Sequence, residues 1–144
     1  MYTVRQILKN KGQQVWSISP AASVYEALQL MAAKDIGALA VVKEERLVGI
    51  FSERDYARKV ILHGKTSRET RVDEIMTGRV VVVGPERTTE ECMALMTEKH
   101  IRHLPVVEGE RLIGLISIGD VVKAVISNQE FVINQLENYI SGER

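Results

Sequence analysis

Apolar and polar positions along this chain switch between two periods, and the switch occurs twice in the same order. A β-rich run at 14–18 stops at Ser19-Pro20, and another at 79–83 stops at Gly84-Pro85; each proline lacks the backbone donor that a strand needs. The period then becomes helical, with Val24, Ala27, Leu28 and Met31 on one face in the first stretch and Cys92, Met93 and Met96 in the second. Ser23 with Glu26, and Thr88 with Glu91, head these helices, a spacing at which hydroxyl and carboxylate satisfy orphaned backbone donors. Two short β-rich runs follow, 38–42 and 47–51, and the charged Lys43-Glu44-Glu45-Arg46 between them suits a hairpin. The second stretch repeats this around Glu108-Gly109-Glu110-Arg111. A last helix is predicted over 53–62, presenting Tyr56, Ala57, Val60 and Ile61, with Val121, Val122, Val125 and Ile126 as counterparts. Each stretch reads β-α-β-β-α.

The order repeats because the sequence does. Shifted by 65 residues, 20–61 superimposes on 85–126 without a gap, and 17 of the 42 pairs are identical. This is an internal duplication. It divides the chain into a first repeat with its N-terminal segment (1–63), a linker (64–71), a second repeat (72–128) opening on a short helix at 72–76, and a C-terminal amphipathic helix (129–144). The linker holds Gly64, Thr66 and Ser67, and its Lys65, Arg68 and Arg71 read as a solvated face, with a phosphate contact as the alternative. The C-terminal stretch sets Phe131, Val132, Ile133, Leu136, Tyr139 and Ile140 at helical spacing. That stripe requires a cover, either the chain's own core or a second subunit, and a homodimer is expected.

Composition narrows the partners. At 144 residues with 45% hydrophobic content, the chain has material for one α/β core. Nineteen basic residues balance 19 acidic ones, so no overall field draws in nucleic acid or an anionic membrane. No apolar run approaches the roughly 20 residues that cross a bilayer. The single cysteine, Cys92, forms no internal disulfide and reads as a small core residue, which suits a reducing, cytoplasmic setting.

The duplication, the element order, and the paired signatures Gly49-Ile50-Phe51-Ser52-Glu53-Arg54-Asp55 and Gly114-Leu115-Ile116-Ser117-Ile118-Gly119-Asp120 resemble a tandem pair of cystathionine β-synthase (CBS) domains, the Bateman module. The resemblance covers nearly the whole chain. It implies two β-α-β-β-α repeats packed sheet to sheet about a pseudo-twofold axis, with two clefts for adenosine-containing ligands such as AMP, ADP, ATP, NAD or S-adenosylmethionine. It implies that Asp55 and Asp120 accept from the ribose hydroxyls, while Ser52, Ser117 and the helix starts beside them, including Arg54, receive phosphate. It places Trp16, Ile18 and Val83 near the adenine, although core packing alone explains these three as well. It also implies that discs pair through their helices; since the repeats and their flanks take up the sequence, either a separate effector protein or a free-standing sensor is expected.

The residues alone leave an alternative open, because Ser-x-x-Asp at a strand-to-helix junction is itself a capping box. Gly49 and Gly114, three residues before each Ser, favour a ligand, since a residue without a Cβ permits close approach to the backbone. The clefts are expected to differ, because Arg102-His103-Leu104-Pro105 stands where the first repeat has Gly37-Ala38-Leu39-Ala40; Pro105, Gly37 and Ala38 count with Arg102 and His103 among the expected ligand residues. Arg102 and His103 are suited to ligand phosphate, the one always charged and the other titratable. A metal site at His100 and His103 lacks a third ligand. No Gly-x-Gly-x-x-Gly occurs, and Gly64-Lys65-Thr66 is not a phosphate loop, because Lys59 stands where that loop's first glycine would be; nothing orients a serine nucleophile. The expected function is therefore a nucleotide sensor rather than an enzyme, without a catalytic cofactor; the competing reading is a ligand-free dimerisation module.

Overall fold

Two β-hairpins of matching register carry the fold of the computed structural model, which describes residues 2–12 and 14–141. Met1 of the first expected segment and 142–144 of the expected C-terminal helix lie outside the described residues. Strands β2 (Ala38–Lys43) and β3 (Arg46–Ser52) pair antiparallel, as do β4 (His103–Glu108) and β5 (Arg111–Ser117). Both ladders slip at the same place, between Val41 and Val42 and between Val106 and Val107. Glu44 and Glu45 turn the first hairpin with φ of 51° and 66°. Gly109 turns the second at φ 64°, where a residue without a Cβ fits at no steric cost.

The first β-rich runs are shorter than the pattern predicts. Strand β1 is Ser17–Ile18, parallel to β2, and its counterpart is a single bridge from Val83 to Val106. The Val83 N–H donates to the Pro105 carbonyl at 3.1 Å. Pro105, in the position of Ala40, has no N–H with which to extend that ladder.

Helices α2 (Val24–Lys34) and α5 (Thr89–Lys99) cover the hairpins with the faces the periodicity selects: Val24, Ala27 and Met31 are buried, as are Cys92 and Met96. Thr88 and Glu91 form the full reciprocal cap, whereas Ser23 Oγ accepts from the Glu26 N–H without a return bond. Burial pushes the Cys92 thiol up to about 11, which leaves it protonated and inert.

The remaining packing crosses between repeats. Helix α1 (Val4–Lys11) inserts Val4, Ile7 and Leu8 into the core of the second hairpin. The short helix α4 (Val72–Ile75), expected to open the second repeat, gives Val72 and Ile75 to the core of the first. The same three hydrogen bonds hold each segment. Val4, Arg5 and Thr89 N–H groups donate to Arg87, Pro85 and Tyr2 carbonyls at 2.8, 2.8 and 3.0 Å; Val72, Asp73 and Val24 donate to Ala22, Pro20 and Thr70 at 2.9, 3.0 and 2.8 Å. Position for position these sets are equivalent, so the pseudo-twofold extends into the leading segments with an offset of 68 residues, Thr3 matching Arg71, instead of 65.

Gly49 and Gly114 serve this crossing. A Cβ on Gly49 would stand 2.6 Å from Met76 Sδ and 3.0 Å from the Thr77 carbonyl oxygen, and one on Gly114 would collide with the Leu8 methyls. The close approach expected of a ligand is made by apolar side chains of the partner repeat.

After β3, helix α3 (Glu53–Lys59) gives way to a 3₁₀ turn at Ile61–His63, capped by Gly64 at φ 70°. Ile61, predicted to face the core, is therefore exposed, and Val60 is the buried residue. The second copy has Gln129 in place of that glycine, and α6 (Ile118–Ser141) runs on unbroken for 24 residues. The expected C-terminal helix is thus its outer half. Val121 and Ala124 are buried, while Val122 and Ile126, predicted to face inward, are exposed together with Phe131, Val132, Ile133, Leu136, Tyr139 and Ile140.

Gly114→Ala should destabilise the fold by about 1–3 kcal/mol through overpacking. Adding Leu8→Ala should recover part of that loss, since contacting sites couple. Urea unfolding of both single variants and the double checks this, and strict additivity would show that Leu8 does not sit on Gly114.

Candidate functional sites between the repeats

Two clefts open between the repeats, each at the start of a helix that follows a hairpin. The cleft at α3, of about 430 Å³, brings together Ser52, Arg54 and Asp55 with Arg102 and His103 from the second repeat. The cleft at α6, of about 410 Å³, joins Ser117 and Asp120 to Gly37 and Ala38 from the first repeat. Arg102 therefore shares its cleft with Asp55, while His103 and Gly37 line both clefts.

Three expected ligand residues line neither. Ile18 packs against the first core, Val83 is buried in the second, and Pro105 is a buried strand residue. With β1 only two residues long, the chain just before it reaches the α6 cleft instead, through Val15 and Trp16. Trp16 is held by the Lys34 ammonium, 4.2 Å from its ring centroid.

The Ser and Asp side chains cap their helices in both copies. The Asp55 N–H donates to Ser52 Oγ at 3.2 Å, and the Ser52 N–H and hydroxyl donate to Asp55 Oδ2 at 3.0 and 3.1 Å. The Asp120 N–H donates to Ser117 Oγ at 3.2 Å, and the Ser117 N–H returns to Asp120 Oδ2 at 2.8 Å. The Glu53 and Ile118 N–H groups donate to the Gly37 and Arg102 carbonyls at 3.1 and 2.8 Å. Two donors that each helix start was expected to offer an anion are therefore already engaged, because the facing repeat supplies one acceptor and the capping serine the other.

Each carboxylate also meets a lysine, and the two lysines come from unrelated places. Lys59, one turn along α3, lies 3.0 Å from Asp55 Oδ1, and the Thr77 hydroxyl donates to the same oxygen at 3.3 Å. Lys11, at the end of α1, donates to Asp120 Oδ2 at 2.7 Å and to the Leu115 carbonyl at 2.8 Å. Burial raises the Asp120 pKa, but the Lys11 ammonium and the Ser117 N–H outweigh it and hold the carboxyl below its ordinary value. Asp55 is the more enclosed, its side chain 10% exposed against 24% for Asp120. Lys59 was legible as an i+4 partner of Asp55; Lys11 carried no such signal, since its contact depends on α1 packing on the other repeat.

Charge separates the clefts. Around Asp55 stand Arg54, Arg58, Lys59 and Arg102 against Glu53 and Asp55 itself. Around Asp120 the cation is Lys11, against Asp35 and Asp120. Arg54 Nη1 donates to the His100 carbonyl at 3.1 Å and ties α3 to the opposite repeat. His103 has its pKa lowered, by burial first, then by Lys11, with Arg102 and Arg54 adding to this and Asp120 opposing it.

A family model of the CBS domain matches residues 4–62 and again 72–127. The chain is 39% identical over 150 residues to CBSX3, a mitochondrial CBS domain-containing protein of Arabidopsis thaliana, across 97% of this chain and 72% of that protein. A solved CBS-domain protein of Burkholderia ambifaria MC40-6 is 55% identical, with a TM-score of 0.84 over 88% of this chain and 96% of that one. A hexameric CBS-CP12 protein of bloom-forming cyanobacteria is 34% identical, with a TM-score of 0.75 over 83% of this chain and 70% of that one. With a mitochondrial protein among the relatives, this similarity assigns no compartment; no helix among the described residues is long and apolar enough to cross a membrane.

Because the folded Asp120 pKa is depressed, its contribution to stability is complete above the unfolded value of about 3.9 and is lost as pH falls through the folded value. Lys11→Met should therefore be less stable than the parent at pH 7, and the gap should narrow in acid. Urea titrations at both pH values check this, and a constant gap would remove the ion pair from the explanation.

Proposed function

This chain belongs to the CBS-domain family, whose tandem pairs are regulatory modules, and from that premise we propose that it senses an adenosine-containing ligand, AMP, ADP, ATP or NAD. Ligand binding between the repeats would alter their relative packing or the surface offered to a separate effector protein. The reading is regulatory, not catalytic. It rests above all on one observation: two clefts of similar size, each joining a Ser/Asp helix start of one repeat to the strand entrance of the other. In this reading the carboxylates exchange their lysine partners for ribose hydroxyls, and Arg54 and Arg102 receive phosphate in the cationic cleft.

We further propose a homodimer formed through α6. Its exposed positions Val122, Ile126, Ile133, Leu136 and Ile140, with Gln129 between them, recur at alternating spacings of four and three, the period of a helix that pairs with another helix. Gln129 is the single polar residue in that seam, where it would fix register at some cost in stability. The same stripe, with both caps satisfied without ligand, is what favours the second reading, a dimerisation module that needs no nucleotide.

AMP, ATP or NAD at a hundredfold over its Kd should stabilise the protein by about 2.7 kcal/mol, with GTP doing much less. A melt unmoved by millimolar adenosine ligands would leave the dimerisation module. Arg102→Ala should weaken AMP more than adenosine, because hydrogen bonds to charged groups are worth about 1.5–3 kcal/mol, and equal calorimetric affinities of the parent for the two would count against a phosphate site. Light scattering should give a dimer that Ile133→Asp and Leu136→Asp dissociate. A parent mass near 16 kDa would refute the seam.

A further inference from the structure

The two clefts meet at one side chain. His103 lines both, and its ring lies against bare backbone on the far side: Nε2 and Cε1 are 3.7 and 3.8 Å from where a Cβ on Gly37 would stand. Gly37 lines both clefts as well. The wall between the clefts is thus one imidazole and one residue without a side chain. The charged groups around it come from every packed element: Lys11 from α1, Arg54 and Glu53 from α3, Arg102 from its own strand entrance, and Asp120 from α6. Three cations face it against two carboxylates, Glu53 and Asp120, so its immediate surround carries a net positive charge with one imidazole in it.

We infer that His103 is a proton-linked anion contact shared by the two clefts, so that a phosphate-bearing ligand in either one binds with protonation of this imidazole and thereby strengthens anion binding in the other. This deepens the sensor reading and rests on it for the identity of the ligand. The physical steps are few. A neutral imidazole has one N–H donor and one acceptor, while an imidazolium has two donors. Burial and the cations Lys11, Arg102 and Arg54 keep the empty site's His103 on the neutral side. A dianion nearby reverses that balance, since an opposite charge within about 4–6 Å moves a pKa by about 1–3 units. Two anions that both favour the protonated form are coupled favourably through that shared proton, and this coupling works against their direct repulsion. The coupling is confined to the pH window between the free and the doubly occupied pKa values; above it His103 stays neutral throughout, and below it His103 is charged before any ligand arrives.

The test follows the His103 imidazole by NMR, assigned against His103→Gln, in sulfate and in chloride at equal ionic strength, and in AMP and adenosine. Sulfate keeps a constant charge over the range and so reports on the protein's proton alone. Sulfate and AMP should raise the His103 titration midpoint by about one unit or more, while adenosine should leave it in place. AMP affinity should rise about tenfold more from pH 8 to pH 6 in the parent than in His103→Gln, the equivalent of a one-unit shift. Should the variant fail to fold, the parent's midpoints in the four solutions decide the matter alone. A His103 that responds to sulfate while no adenine nucleotide binds upholds the shared contact and refutes the sensor reading. AMP binding with an unmoved His103 keeps the sensor and overturns the shared contact. Binding of neither anion overturns both.

Discussion

The exchange of leading segments between the repeats is the contact on which the rest of this structure depends. Each hairpin with its covering helix leaves a gap in its apolar face, and the gap is filled from the other end of the duplication: Val4, Ile7 and Leu8 close the second core, Val72 and Ile75 the first. The crossing uses the same backbone hydrogen bonds twice, and it requires Gly49 and Gly114, over which Met76 and Leu8 lie. Neither repeat holds a complete core of its own chain segment, so the pair folds as one unit. The clefts inherit their geometry from the same exchange, because it fixes the entrance of one hairpin against the helix start of the other.

A duplication held by symmetric contacts still yields two different sites, and the difference begins where the leading helices end. Helix α4 stops at Ile75, and Thr77 then exchanges two backbone hydrogen bonds with Ile50, at 2.9 and 3.0 Å. Helix α1 runs on to Lys11, whose ammonium takes the equivalent carbonyl, Leu115, and the Asp120 carboxylate together. One carboxylate is therefore enclosed by a hydroxyl and a lysine of its own helix, the other by a lysine at the end of the crossing helix. Substitution at the strand entrances adds to this, with Arg102 and His103 against Gly37 and Ala38. The cationic cleft and the one whose single lysine faces two carboxylates follow from a handful of residues on a shared frame.

The elements whose causes are local were legible in the sequence. Both hairpins, both covering helices and the Ser-x-x-Asp caps arise from period, turn chemistry and hydrogen bonds within a few residues, and they stand where the pattern places them. The elements decided by distant contacts were not. Helix α1 has apolar residues at positions 4, 7 and 8 and a Thr3–Gln6 capping pair, yet its equivalence to α4 is hidden by a three-residue change of offset between the leading helix and the first proline, Pro20 or Pro85. The outer half of α6 reads as a separate helix until Gln129 is set against Gly64. The resemblance places Ile18 and Val83 near an adenine while core packing explains them as well, and in the fold Pro105 reduces one run to a bridge, Val83 is buried in the second core and Ile18 packs against the first. Lys11 on Asp120 is a tertiary contact between residues 109 positions apart, and no local pattern encodes it.

The capping and ligand-binding readings of Ser-x-x-Asp compete in the sequence, but under the proposed function they would describe one set of atoms in two states. Without ligand, the Asp120 Oδ2 that accepts the Ser117 N–H also holds Lys11. A diol that reached this carboxylate would have to replace the hydrogen bond from Lys11, and a ligand shifts a protein between states only by its difference in affinity for them. The useful quantity is thus the difference between the diol's bonds and the displaced ion pair, a pair that is partly exposed and therefore weak. A strong, buried ion pair would lock the cleft, and no pair at all would leave binding with nothing to displace. Because Lys11 belongs to the helix that closes the opposite core, its release would be felt at Leu8 and Gly114, and so at the contact that holds the two repeats together.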